Sequence, residues 1–314
     1  MQVAPERPDR TTILAFAALV VVAGVAPVAV KISIRELPPF FGAGLRFGAA
    51  ALIFLVIVLV RRIPLPRGRA LLGALLYGVL GFGAFFALAY WALLTVPAGV
   101  GGVIMASVPL FTFLLALIQG VEKFRVRGLI GGAIAIGGIT VLLQVPAAAD
   151  APITSFLAII GASIAAAESS VIVKKFPPTH PVATNGVAMA TGTVLLLIVS
   201  GLSNEPWRLP TGAVTWFWFV ELVFLGSIGL FLLYLFVLKR WTASGASYQF
   251  VLMPIVTVLL AAAIAGESLH IGVLVGGAIV LVGVYIGALS GPKTAPSLPA
   301  ASGHEALQQR CSHV

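Results

Sequence analysis

The sequence predicts an all-α integral membrane protein, with ten transmembrane helices forming two five-helix repeats of inverted topology around a central cavity. Three observations predict it. Of 314 residues, 60% are hydrophobic and 9% charged, where a soluble domain carries roughly 25% charged residues. Apolar runs follow one another at the roughly 20-residue length of a bilayer crossing. Finally, the chain repeats itself: "GVEKFRVRGLIGGAIAIGG" at 120–138 returns as "AGESLHIGVLVGGAIVLVG" at 265–283, and Pro109 to Pro254, Glu122 to Glu267 and Gly131 to Gly276 are each 145 residues apart.

The spans are drawn at 11–30, 39–60, 70–91, 98–119, 128–145, 152–173, 181–202, 213–238, 244–265 and 271–290. The first has bilayer length and lacks a small-residue cleavage pattern, so it is expected to be a span and not a removable signal. Connections are short, and the tail after Gly291 is Ser-, Pro- and Ala-rich, a composition expected to stay disordered. The tails at 1–10 and 291–314 flank two repeats, 11–145 and 152–290. Lys and Arg set the expected orientation. Fifteen of the 19 fall on one side (Arg7, Arg10, Arg61, Arg62, Arg67, Arg69, Lys123, Arg125, Arg127, Lys174, Lys175, Lys239, Arg240, Lys293, Arg310), three on the other (Lys31, Arg35, Arg208), and Arg46 lies within a span. Both termini are therefore expected in the cytoplasm. Five spans per repeat is an odd number, so the second copy enters the membrane from the opposite side. Inverted repeats of this kind are a mark of secondary transporters that work by alternating access.

Several function classes are disfavoured by the same inspection. The formal charge of +9 is spread through loops and not gathered on one face, which argues against nucleic acid as a partner. No GxxxxGK[ST] loop is present, so no nucleotide cofactor is expected. His180, His270, His304 and His313 lie in loops or the tail, which argues against a metal site or an intramembrane hydrolase. The lone Cys311 permits no intrachain disulfide. A channel expects a ring of equivalent groups from identical subunits; a two-copy layout fits a carrier better. The expected partners are the lipid bilayer and a small-molecule substrate.

Individual residues carry narrower expectations. Glu122 and Glu267 each precede a Gly-rich helix, where a carboxylate meets free N–H groups and the positive helix end. The spacings Gly128–Gly132 and Gly272–Gly276 suit close helix approach, either to neighbouring helices or across a homodimer. Pro109 and Pro254 are expected near the midpoints of spans four and nine, freeing the carbonyls of Met105 and Phe250; Pro27, beside Gly24, reads the same way. Such kinks serve either structure alone or a cavity wall.

Three charges fall inside spans. Each must face the interior, a wet cavity or a partner. By depth, Arg46 and Glu221 lie roughly 10 and 12 Å from the outer ends of their helices at about 1.5 Å per residue, which makes them candidates for a charge pair, as a structural contact or an outer gate. Glu168 lies toward the inner end of helix six, either snorkelling or acting on protons or amines at the inner mouth. Tyr77, Ser107, Ser169, Tyr248 and Gln249 are polar handles for a small zwitterion, with Phe82, Phe85 and Met105 as apolar wall. With Arg46 as the one basic residue at depth, a neutral or zwitterionic solute suits the chain better than a polyanion.

The doubled spacing from proline to glutamate to Gly-Gly resembles the EamA domain of the drug/metabolite transporter superfamily. "LRFGAAAL" at 45–52 is similar to that family's Arg-Phe signature, and "FALAY" followed by "VPAGVGGVIMASVPLF" is similar to its third and fourth helices. The resemblance covers nearly the whole chain twice, although the second copy lacks the Arg-Phe pair. It implies an inner-membrane carrier with a central cavity, often an exporter of amino acids or related metabolites. In organisation the chain is most similar to the YddG type of amino-acid exporter.

Overall fold

The computed structural model describes residues 9–119, 126–143, 150–177, 179–240, 249–264 and 270–286. Every regular element among them is helical: α1 (Arg10–Ser33), α2 (Pro39–Val60), α3 (Arg69–Tyr77), a π-helical segment (Gly78–Ala84), α4 (Phe85–Ala92), α5 (Ala98–Met105), α6 (Val108–Ile118), α7 (Val126–Leu143), α8 (Ile153–Lys175), α9 (Pro181–Leu202), α10 (Ala213–Val223), a second π-helical segment (Phe224–Gly229), α11 (Leu230–Arg240), α12 (Gln249–Ile264) and α13 (Ile271–Val284). By length and composition six helical stretches can cross a membrane: Arg10–Ser33, Pro39–Val60, Arg69–Ala92, Ile153–Val173, Pro181–Leu202 and Ala213–Tyr234. Shorter apolar helices lie at Ala98–Thr112, Ile130–Val141, Val251–Ile264 and Ile271–Gly283.

Local chemistry starts and stops these helices. Asp9 caps α1, its carboxylate accepting from the Thr12 backbone N–H at 2.9 Å. Two other caps cross between the repeats. Glu205, after α9, accepts from the N–H groups of Phe40 and Phe41 in the first turn of α2, at 3.1 and 2.8 Å. Glu36, after α1, accepts from the N–H groups of Gly212 and Thr211 and the hydroxyl of Thr215 at the start of α10, at 2.9, 2.8 and 2.7 Å. Those donors, the Gly212 N–H first among them, hold the Glu36 carboxyl below its ordinary 4.5. Glu122 and Glu267, expected at helix starts, lie outside the described residues, four positions before α7 and α13.

The repeats pack against each other through equivalent helices. α2 meets its counterpart α9, with Gly48 against Thr193, its own equivalent in the second repeat. α7 meets its counterpart α13. There a Cβ on Gly138 would stand 2.7 Å from the Val280 nitrogen and 2.8 Å from the Gly276 oxygen. On Gly283, the equivalent of Gly138, a Cβ would stand 2.5 Å from the Ala135 nitrogen and 2.6 Å from the Gly131 oxygen. Each contact is the other with the repeats exchanged. Reciprocity of this kind is the signature of a two-fold relation. Glycine is required at both positions because backbone, not a movable side chain, occupies the space.

Two expectations about helix shape change. Span four is not one helix kinked at its middle. It breaks into α5 and α6 at Ala106 and Ser107, and Pro109 sits in the first turn of α6, where a missing N–H costs nothing. Pro254 stays inside a continuous α12. The two π-helical segments were not expected. In each an extra residue opens the helix so that an N–H reaches five residues back, from Phe85 to Leu80 and from Leu230 to Leu225. The two bonds join equivalent positions of the two halves, so the irregularity belongs to the repeat.

Candidate functional site

A cavity of about 200 Å³ opens where α1, α4, α5, α8, α11 and α12 meet the two π-helical segments, with single residues added by α2, α3 and α6, room for one small solute rather than a polymer. Its wall draws on equivalent positions of both repeats: Gly81 and Gly226, Phe85 and Leu230, Phe86 and Phe231, Ala89 and Tyr234, Val108 and Met253. Every one of these pairs keeps the offset that separates Pro109 from Pro254. The π-helical segments contribute Gly81 and Gly226 to this wall, and Phe86 and Phe231 follow one turn on. Pro27 adds to the wall from within α1. It cannot donate to the carbonyl of Ala23, and Ala23 also borders the cavity.

Among the described residues, Arg46 is the one charged side chain on this wall, and it is 2% exposed. Its Nε donates to Ser227 Oγ at 2.9 Å, one Nη to Tyr90 Oη at 3.1 Å, and the other to the Gly226 carbonyl at 2.7 Å. The guanidinium also lies 4.8 Å from the Phe47 ring centre and 5.3 Å from that of Phe86. The π-helical turn supplies the Gly226 carbonyl, so the charge is held by a helix irregularity of the other repeat. No salt bridge joins Arg46 to the candidate partner Glu221 among the described residues. Arg46 turns toward the π-helical segment one turn beyond Glu221, and Glu221 Oε2 is buried without a hydrogen-bond partner among the described residues.

The structure sorts the remaining candidates. Pro27, Tyr77, Phe85, Met105, Ser169 and Gln249 border the cavity. Gln249 is 6% exposed, and among the described residues its Oε1 has no hydrogen-bond partner. The Ser169 hydroxyl already donates to the Ala166 carbonyl of its own helix. Gly24 belongs instead to the α1–α12 contact, where its carbonyl accepts from Thr257 Oγ1 at 2.9 Å. Phe82 is fully buried among the rings of Phe47, Tyr77 and Phe231. Ser107 closes the α5 end by donating to the Ile104 carbonyl, and Pro254 is buried within α12. Glu168 is away from the cavity wall: its carboxylate accepts from Gln119 Nε2 at 2.6 Å, and Gln119 Oε1 in turn accepts from Lys175. Glu168 therefore ties the end of α6 to α8. The Pro109 side chain and all of Tyr248 lie outside the described set.

Sequence reasoning missed Tyr90, Phe86, Phe231 and Tyr234. Phe86 and Phe231 are repeat equivalents of each other, and Tyr234 is the equivalent of Ala89, so the repeat offset was a usable signal for these three. Nothing in the sequence links Tyr90 to Arg46, because that contact exists only once α2 and α4 are packed.

Comparison with known proteins agrees with this architecture. A crystal structure 18% identical in sequence superposes with a TM-score of 0.64, covering 89% of this chain and 96% of the other, which shows a shared fold. YedA of Escherichia coli (strain K12), described as an uncharacterized inner membrane transporter, is 29% identical over 260 residues, 81% of this chain and 83% of that protein. A probable amino-acid metabolite efflux pump of Salmonella typhimurium (strain LT2) is 26% identical over 279 residues, 85% of this chain and 91% of that protein. The EamA-like transporter family model matches twice, at residues 10–144 and 153–288. The doubled helices, their reciprocal packing and this doubled match lead to one conclusion: the chain is a membrane transporter of the EamA-like family.

Proposed function

We propose that the protein is a secondary carrier that exports small zwitterionic metabolites, amino acids foremost and aromatic ones among them, by alternating access. The observation that carries this reading is the cavity wall built from repeat-equivalent positions of both halves, because a site on a two-fold between inverted repeats is accessible in turn from either side as the halves rock. The helical stretches then form ten crossings with inverted repeats, and both termini face the cytoplasm of a bacterial inner membrane. A wall with a single cation, several aromatic rings and a few neutral polar groups suits a solute with no net charge. The amino-acid metabolite efflux pump among the relatives supports the same substrate class. Purified protein in liposomes, assayed with labelled amino acids, purines and sugars with and without a pH gradient, tests it. Saturable flux of at least one amino acid is expected; failure of every amino acid refutes the substrate class, and unsaturable ion current refutes the carrier.

A further inference from the structure

The cavity holds two polar groups whose bonding is incomplete, at residues of opposite character. Among the described residues, Arg46 is buried on an otherwise uncharged wall and uses three of its five N–H donors, on Ser227, Tyr90 and Gly226. Gln249 borders the same cavity with Oε1 buried and unpartnered among the described residues. A buried acceptor without a donor costs free energy that a bound donor would recover. The terminal amide torsion is broad, so this oxygen can turn to meet a solute. The other hydroxyls whose bonds are seen are engaged: Ser169 and Ser170 each donate to the Ala166 carbonyl.

Resting on the amino-acid reading above, we propose that Gln249 and Arg46 together select the solute by its two charged ends. Gln249 Oε1 accepts a hydrogen bond from the ammonium group, and the free Nη donors of Arg46 hold the carboxylate. The aromatic wall of Tyr77, Phe85, Phe86 and Phe231 takes the side chain. The pairing is asymmetric in the sequence itself, since the equivalent of Arg46 in the second repeat is Thr191. A solute lacking its ammonium leaves the Gln249 acceptor unsatisfied. One lacking its carboxylate faces an uncompensated guanidinium. Either loss is the kind of mismatch that polar sites reject strongly.

Three probes separate these ends: L-phenylalanine, 3-phenylpropionate, which lacks the ammonium, and phenethylamine, which lacks the carboxylate. Binding to the purified full-length protein is measured by calorimetry on the wild type, Gln249→Leu and Gln249→Glu. The wild type is expected to bind phenylalanine at least tenfold more tightly than either analogue. Gln249→Leu should lose that advantage over 3-phenylpropionate while its affinity for 3-phenylpropionate stays within twofold. Gln249→Glu, which keeps an acceptor and adds a negative charge, should retain phenylalanine and gain at least threefold for phenethylamine. A merely structural role for Gln249 would weaken all three probes by one factor, and that result overturns the proposal even where phenylalanine is transported. If Gln249→Leu does not fold, Gln249→Glu decides alone, and a gain for phenethylamine of less than threefold over the wild type overturns the proposal. Wild-type protein that neither binds nor moves any amino acid refutes the amino-acid reading, and this selection with it.

Discussion

Adjacent glycines in α7 make a sharp test of the reciprocal contact between repeats. A Cβ on Gly137 would meet nothing within 4 Å, whereas a Cβ on Gly138 would lie 2.7 Å from the Val280 nitrogen, well inside the 3.4 Å at which ordinary contact begins. The obstacle is backbone, so α7 and α13 must separate, at a cost of about 1–3 kcal/mol for overpacking. Replacing glycine by alanine inside a helix returns about 1 kcal/mol at either position. That gain is common to both variants and cancels in their difference. Gly137→Ala is therefore expected to match or exceed the wild type, as the 51%-exposed Val282 at the equivalent position of the second repeat already suggests. Gly138→Ala should fall below Gly137→Ala by about 1–3 kcal/mol. The mirror variant Gly283→Ala should behave like Gly138→Ala, and the double variant should cost less than the sum, because one separation relieves both clashes. Apparent Tm of the purified protein in detergent is the assay. A Gly138→Ala protein melting at or above Gly137→Ala refutes the packing argument.

Other consequences follow from single groups. Because the donors around Glu36 lower its carboxyl, the ionised group contributes stability above its ordinary 4.5 that is lost as pH falls through the lowered value. Glu36→Gln should then flatten the acid side of the Tm-against-pH curve, and parallel curves for the two proteins would contradict the cap. Gln119→Leu removes the donor to Glu168 and is expected to cost about 1.5 kcal/mol in thermal unfolding, the low end for a hydrogen bond to a charged group; an unchanged Tm would show that the α6–α8 tie contributes nothing. Arg46→Lys keeps the charge but loses the planar fork that reaches Ser227, Tyr90 and Gly226. On the order of tenfold slower liposome flux is expected, since the replaced group can no longer hold both the π-helical turn and a solute; wild-type flux would remove Arg46 from the mechanism.

What was legible in the sequence was the information carried by composition and offset. The apolar runs placed every described helix, because a backbone in lipid has to satisfy its hydrogen bonds within itself. The repeat offset announced two related halves, and the Gly-rich spacings announced close helix approach; that α7 meets α13, and that Phe86 and Phe231 join the cavity wall, came from the packing. Tyr77, Phe85, Met105, Ser169 and Gln249 read as polar or bulky residues at membrane depth and Pro27 as a helix break, features that local reading can detect, and all six border the cavity.

Pairings between distant residues were decided only by the tertiary structure. Arg46 and Glu221 have matching depths, yet depth says nothing about direction around a helix axis, and the π-helical turn at Phe224–Gly229 draws Arg46 to Gly226 instead. Glu36 and Glu205 cap helices of the opposite repeat, 175 and 165 residues away from Thr211 and Phe40, so no local pattern marks them. For Glu168 depth left both snorkelling and a role at the inner mouth open, and the packing of α6 beside α8 puts Gln119 against it. The sequence by itself determined that this chain folds in a membrane as two related halves, because burial of apolar surface and internal repetition are written along the chain. Which side chains meet between the halves depends on helix rotation and on irregular turns. Those are settled by the packing of all the helices at once.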